Sequence, residues 1–206
     1  MPRVHRRVLH PAIVFIMLLT LAPSIFAQPL SPADVNPIDR VLLFPYSQGL
    51  DIASDITQYA AFASPAALLF VVPKTEYVET ALMYAGSSLL AFGAGSLIKA
   101  LVPRDRPYMY FDSPPTQAAA EGDESFPSRH SCIAFSAAGF TSTLFALRYP
   151  NSPYRVPVTV ASYALAIATA ALRVSSGNHF LSDVAAGALI GTVSGVVIPL
   201  IFARDR

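Results

Sequence analysis

The chain has 206 residues, 53% hydrophobic and 13% charged, with a formal net charge of +1 and a mean hydropathy of +0.49. A soluble domain carries about 25% charged residues, so these few cannot cover a water-facing surface, and the composition is that of an integral membrane protein. The charge balance and the lack of a long Lys/Arg run exclude a nucleic-acid-binding footprint. The single cysteine, Cys132, excludes an internal disulfide or a cysteine-rich metal site and reads as a small buried thiol.

At the N-terminus, Arg3, Arg6 and Arg7 precede an apolar run over 12–26 that ends at Ala27. Residues 1–27 therefore read either as a secretory signal peptide or as a first transmembrane helix bent at Pro23. Both readings keep the basic end in the cytoplasm and deliver the chain from Gln28 to the far side. Residues 28–55 are then an extracytoplasmic segment. Within it Asn36 as N-cap, Pro37 at the first helical position and Asp39 in the first turn predict a short helix lying on the membrane surface.

Five longer apolar stretches follow, at roughly 56–72, 77–101, 130–147, 156–174 and 182–203. Each is near the 17–25 residues that cross a hydrocarbon core as helix. The expected fold is all-α: a multi-span transmembrane helical bundle of five core helices plus the N-terminal signal peptide or first helix, with residues 56–206 as the main domain. Small residues recur inside the spans (Gly86, Gly93, Gly95, Gly139, Gly187, Gly191, Gly195) and let helices approach closely in lipid. The connections with Lys74, Arg148 and Arg155, and the tail with Arg204 and Arg206, share the cytoplasmic side with the N-terminal arginines. The opposite side receives 28–55, 102–129 and 174–181.

Three polar clusters fall on that opposite side. Lys99 closes one span and Arg106 follows it. Ser128, Arg129 and His130 open the next. Arg173 closes the fourth, and His179 with Asp183 opens the fifth. Membrane-helix ends often carry anchoring cations that reach the headgroups, but two histidines are poor anchors. Lys99, Arg106 and Arg173 together repel one another unless an anion sits among them, and guanidinium forks match phosphate oxygens. Ser128 adds a hydroxyl, and the amides opening its helix add donors backed by the helix dipole. At a spacing of four, His179 and Asp183 are expected to share a helix face, with Asp183 holding the imidazole for attack at phosphorus. His130, from another helix, is placed to protonate a leaving oxygen.

Lys99 with Arg106-Pro107, then "PSRH", then "RVSSGNHFLSD" resembles the three-part signature of the type 2 phosphatidic acid phosphatase superfamily: K-x6-R-P, P-S-G-H and S-R-x5-H-x3-D. The likeness covers roughly 56–203. It implies a metal-independent mechanism with a phosphohistidine intermediate and no cofactor. In it His179 is the nucleophile, Asp183 its orienting partner and His130 the general acid, while Lys99, Arg106, Ser128 and Arg173 bind phosphate. Two positions depart from the pattern: Arg129 replaces the family glycine, and Leu172 replaces a serine. Arg129 keeps the backbone amide; the change either costs the backbone freedom and close approach that glycine allows or adds a guanidinium contact to the phosphate that favours a more highly charged headgroup. The acidic loop residues Glu121, Asp123 and Glu124 read either as solvated surface or as part of a lid.

The expected function is a membrane lipid phosphatase in the bacterial inner membrane, with its site on the periplasmic face and a lipid phosphate as substrate. Undecaprenyl diphosphate, phosphatidic acid, phosphatidylglycerol phosphate and a lipid A phosphate are the candidates. The alternatives are a vanadium haloperoxidase-like oxyanion enzyme and a non-catalytic lipid-phosphate binding or transport protein. The last has no need of both histidines.

Overall fold

The computed structural model of the protein describes residues 30–203, apart from the side chain of Ala119. The signal-like stretch and the tail arginines lie outside them. Among the described residues the regular structure is helical, with one isolated bridge between Arg104 and Glu124. The α-helices are α1 (Pro37–Arg40), α2 (Gln48–Ala63), α3 (Tyr77–Leu101), α4 (Ala118–Glu121), α5 (Arg129–Arg148), α6 (Arg155–Ser175) and α7 (Leu181–Phe202). Four segments are long and apolar enough to cross a membrane: Lys74–Leu101, Arg129–Arg148, Arg155–Ser175 and Leu181–Phe202. The protein is a multi-pass membrane protein.

The stretch expected to be the first core span is built differently. Helix α2 starts at Gln48, well before the predicted start, and stops at Ala63; a 3-10 helix, Ser64–Phe70, continues it. Pro65 gives the reason, since it has no N–H for the α-helical ladder and its ring clashes with the preceding turn. Sixteen residues of α-helix rise about 24 Å, and the seven tighter residues add about 14 Å. The early start brings Asp51 and Asp55 into the helix.

Helix α1 forms as its cap residues predict: Asn36 Oδ1 accepts from the Asp39 amide at 3.0 Å, and Pro37 occupies the first turn. It does not simply lie on a membrane surface, because Asp39 is fully buried.

Helix α5 is the centre of the bundle, and α7 lies directly against it. A Cβ added at Gly187, Gly191 or Gly195 would come within 2.5, 2.2 and 2.3 Å of the carbonyl oxygens of Ser128, Cys132 and Ser136. Three glycines at a spacing of four thus face three carbonyls at the same spacing, and the two backbones touch along three turns. At one end of this seam the Ser128 amide donates to the Asp183 carbonyl at 3.1 Å, which ties the start of α5 to the start of α7. At the far end the Arg148 guanidinium donates to Glu76 at 3.2 Å and Glu79 at 2.5 Å. Beneath lies an apolar cluster including Leu68, Met83, Phe140, Leu144 and Phe145.

Candidate active site

Because the helices alternate in direction, the C-termini of α3 and α6 and the N-termini of α2, α5 and α7 lie at one end of the bundle. Lys99, Arg106, Ser128, His130, Arg173, His179 and Asp183 all sit there, although up to 84 positions separate them along the chain.

Lys99, Arg106 and Arg173 are almost fully buried. Such cations need acceptors, and each has them. Lys99 Nζ donates to the Glu124 carbonyl. Arg106 donates through Nε to the Glu121 carbonyl at 2.9 Å, and to Asn178 Oδ1 at 3.1 Å and Glu121 Oε2 at 3.3 Å. Arg173 donates to Asp51 Oδ1 and, at 3.2 Å, to Ser54 Oγ. Its Nε is buried without any acceptor among the described residues. A buried guanidinium N–H without a partner is a costly exception unless a ligand oxygen is meant to meet it.

His179 is 2% exposed. Its Nδ1 lies 2.7 Å from the Ser125 carbonyl oxygen. A carbonyl only accepts, so Nδ1 carries the hydrogen and Nε2 keeps its lone pair. Nε2 has no hydrogen-bond partner among the described residues. Burial first, and then the charges of Arg173, Arg106 and Lys99, hold His179 well below the usual imidazole range, and His130 contributes in the same direction. The ring is therefore held in its neutral form, with the Nε2 lone pair free.

The direct Asp183–His179 hydrogen bond expected from their spacing is not made: Nδ1 stands 3.7 Å from Asp183 Oδ2. The i,i+4 argument requires both residues on a helix, and His179 precedes the N-cap, Phe180. Asp183, at the third helical position, turns back to accept the Phe180 amide at 2.8 Å, the usual role of an acid there. Its remaining capacity goes to Ser125 Oγ at 2.5 Å and Arg104 NH1 at 2.5 Å.

Ser128 is the N-cap of α5. Its Oγ accepts from the Ser131 amide at 3.4 Å and the Ser131 hydroxyl at 3.2 Å, leaving its own hydrogen to donate. Arg129 opens α5 and runs along α3 beside Gly95; among the described residues it has no hydrogen bond or ion pair. His130 Nε2 is 2.8 Å from Asp55 Oδ1. Cys132 is buried, as a small apolar-like thiol should be. Among the described residues, no group of three or more His, Cys, Asp or Glu side chains converges as a metal site.

The sequence reading missed Asp39, Asp51, Asp55, Arg104, Ser125 and Asn178. The signal for two of them was present: Asp51 and Asp55 stand four apart at the head of an apolar stretch, which on a helix puts both on one face.

The sequence profile of the PAP2 superfamily matches residues 80–206. The chain belongs to the PAP2 superfamily. Two solved structures share its fold. The crystal structure of Aquifex aeolicus LpxE is 19% identical with a TM-score of 0.56, over 82% of this chain and 98% of that one. The transmembrane PAP2-type phosphatidylglycerolphosphate phosphatase from Bacillus subtilis is 20% identical with a TM-score of 0.52, over 95% and 97%. No curated protein matches the chain at a significant level. Asp39, Asp51 and Asp55 all lie before the part of this PAP2 protein that the profile matches.

Proposed function

We propose that this PAP2 protein is a lipid phosphatase that hydrolyses a phosphomonoester or diphosphate of a membrane lipid through a phosphohistidine, without metal. The observation that carries the reading is a neutral, tautomer-fixed imidazole among three buried cations, one with a guanidinium N–H awaiting an acceptor. That arrangement suits phosphoryl transfer, where positioning and charge stabilisation supply most of the catalysis.

In the first step the His179 Nε2 lone pair attacks phosphorus and the P–O bond to the lipid breaks. The leaving oxygen takes a proton from His130 in its imidazolium form, which the Asp55 carboxylate 2.8 Å from Nε2 stabilises, and the ring is left neutral. In the second step His130 takes a proton from water, the resulting oxygen attacks phosphorus, the P–N bond breaks and phosphate leaves. Lys99, Arg106 and Arg173 hold the phosphoryl oxygens, helped by Ser128 and the amides opening α5, and the free Arg129 guanidinium contacts the same headgroup. A bundle-end site suits a lipid headgroup, which the bilayer delivers to that depth. The basic residues of the opposite connections support a periplasmic face in a bacterial inner membrane. Undecaprenyl diphosphate, phosphatidic acid, phosphatidylglycerol phosphate and a lipid A phosphate form the substrate panel.

The test is phosphate release from that panel by purified protein in EDTA. Release is expected to persist in the chelator and to drop at least 1,000-fold in His179→Ala and His130→Ala, on the order expected for loss of the nucleophile or of the acid. Dependence on added metal, or full activity of His179→Ala, refutes the mechanism.

A further inference from the structure

Outside the three signature clusters, the Asp39 carboxylate is bonded on all sides. It is fully buried and accepts from Asn36 Nδ2 at 2.6 Å, the Ser182 amide at 2.9 Å, Ser182 Oγ at 2.7 Å and Arg104 NH2 at 2.7 Å. Burial by itself would raise its pKa, but the bonds from Arg104, Ser182 and Asn36 more than offset this and hold it below the usual carboxylate range. Arg104 lies between two buried acids: NH2 reaches Asp39 while NH1 reaches Asp183 Oδ1 at 2.5 Å and Ser182 Oγ at 2.7 Å. Its guanidinium also lies over the Phe180 ring, 4.2 Å from the centroid.

The backbone of Arg104 is engaged as well. Its carbonyl accepts the Ser125 amide at 2.9 Å. Ser125 is the residue whose carbonyl sets the tautomer of His179 and whose hydroxyl binds Asp183. A continuous path of hydrogen bonds therefore runs from Asp39 through Arg104 to Asp183 and Ser125, and from Ser125 to His179. The segment carrying Asp39 is held from its other end too. The Ser47 amide donates to the Ser176 carbonyl at 3.1 Å. Gly177 turns with φ +72, and the Phe44 and Pro45 carbonyls pack where a Cβ would stand, 2.6 Å away. That contact requires glycine.

We propose that Asp39 and Arg104 are positioning residues of the site, and that the strap 30–47 is part of the catalytic unit. Asp183 gives both its oxygens to donors other than His179. Its hydrogen-bonded route to the nucleophile therefore runs through Ser125, and Arg104 is the residue whose side chain is the cation on Asp183 while its backbone carbonyl anchors Ser125. A buried carboxylate keeps its charge and place only while its cation remains. Cutting the Arg104 link takes from Asp183 its charged partner and leaves it only the Phe180 amide and the Ser125 hydroxyl, so that Asp183 shifts, and the Ser125 bonded to it moves its carbonyl away from His179.

The proposal rests on the nucleophilic role given to His179 above, and two readouts on the full-length protein separate the two. The first is the kcat and KM for the best lipid phosphate in Asp39→Asn and Arg104→Lys. The second is the histidine 15N spectrum, with His179 assigned from His179→Gln, which reports which ring nitrogen is protonated whether or not the protein turns over. Expected are a 10- to 100-fold fall in kcat with KM within about threefold, as small misplacements at a reacting centre produce, together with loss of the single Nδ1–H tautomer. Added guanidinium ion at millimolar concentration is expected to restore part of the rate in Arg104→Ala. An unchanged tautomer and unchanged kcat overturn the proposal. So does a loss of activity that merely follows the folded fraction in a thermal melt. A wild-type protein that hydrolyses no lipid phosphate, while its His179 tautomer still responds to both variants, sinks the phosphatase reading and leaves the positioning role supported.

Discussion

Replacing Gly191 by alanine tests whether the backbone contact between α5 and α7 sets the geometry of the site. The added methyl group would lie 2.2 Å from the Cys132 carbonyl oxygen, 2.9 Å from its carbon and 3.0 Å from the Ser136 amide nitrogen. Ordinary contact begins near 3.4 Å, so the two helices must part by about 1.2 Å. None of the three atoms is a flexible side-chain end that could swing away. Overpacking of this kind costs about 1–3 kcal/mol. The same movement pulls on the bond from the Ser128 amide to the Asp183 carbonyl and separates the helix that carries His130 from the one that follows His179. A displacement near 1 Å at a reacting centre costs on the order of 100-fold in rate. Gly93 is the control, because an added Cβ there meets nothing within 4 Å, and alanine in a helix is favoured over glycine by up to about 1 kcal/mol. Thermal unfolding in detergent and kcat on the best lipid phosphate are the assays. Gly191→Ala is expected to melt earlier and turn over at least tenfold more slowly, with Gly93→Ala equal to wild type or slightly more stable. A Gly191→Ala protein with wild-type melting and kcat refutes the claim that this seam aligns the site.

Three further outcomes are expected. The His179 pKa lies below its usual 6.5, so the acid limb of kcat/KM due to protonation of the nucleophile falls below that value, and Lys99→Gln or Arg106→Gln shifts it upward by removing a positive neighbour. The same group makes folding stability decline as pH falls below 6.5, because the unfolded chain takes up a proton that the folded one refuses; flat stability over that range contradicts the neutral, buried ring. If the Arg129 guanidinium reaches a second phosphate of the headgroup, Arg129→Gly, which restores the family residue, lowers kcat/KM for a lipid diphosphate roughly 10- to 100-fold, the value of one charge-assisted hydrogen bond, and leaves a monophosphate within threefold; equal loss on both refutes that contact. Glu121→Gln frees Arg106 of a half-exposed partner 3.3 Å away, a pairing worth at most about 1 kcal/mol. KM is expected to fall up to fivefold, and an unchanged KM with unchanged substrate preference disposes of the acidic lid.

Hydropathy alone located the ends of the four spans after position 74, and from those ends it followed that Lys99, Ser128, Arg173 and His179 share one end of the bundle. What it could not locate was anything that depends on how a helix is rotated or where an α-helix gives way to another turn. Asp51 and Asp55 fell within a stretch read as lying outside the core, because the polar residues before position 56 masked the start of α2. His179 looked helical by spacing, yet the cap falls at Phe180, and one residue of difference passes the Asp183 hydrogen bond to the backbone.

The order of charged and apolar residues determined the class of the protein: helical and membrane-spanning, with a set of basic residues and imidazoles at one end of the bundle. Charge and hydrophobicity are properties of each residue where it stands, so they can be read in one dimension. The partners of those residues were decided only by the fold. Asp51 on Arg173, Asp55 on His130 and Asp39 on Arg104 join positions 65 to 122 apart along the chain. A hydrogen bond depends on distance and angle in space, which arise here from three glycines pressed against three carbonyls and from a strap folded back over the site.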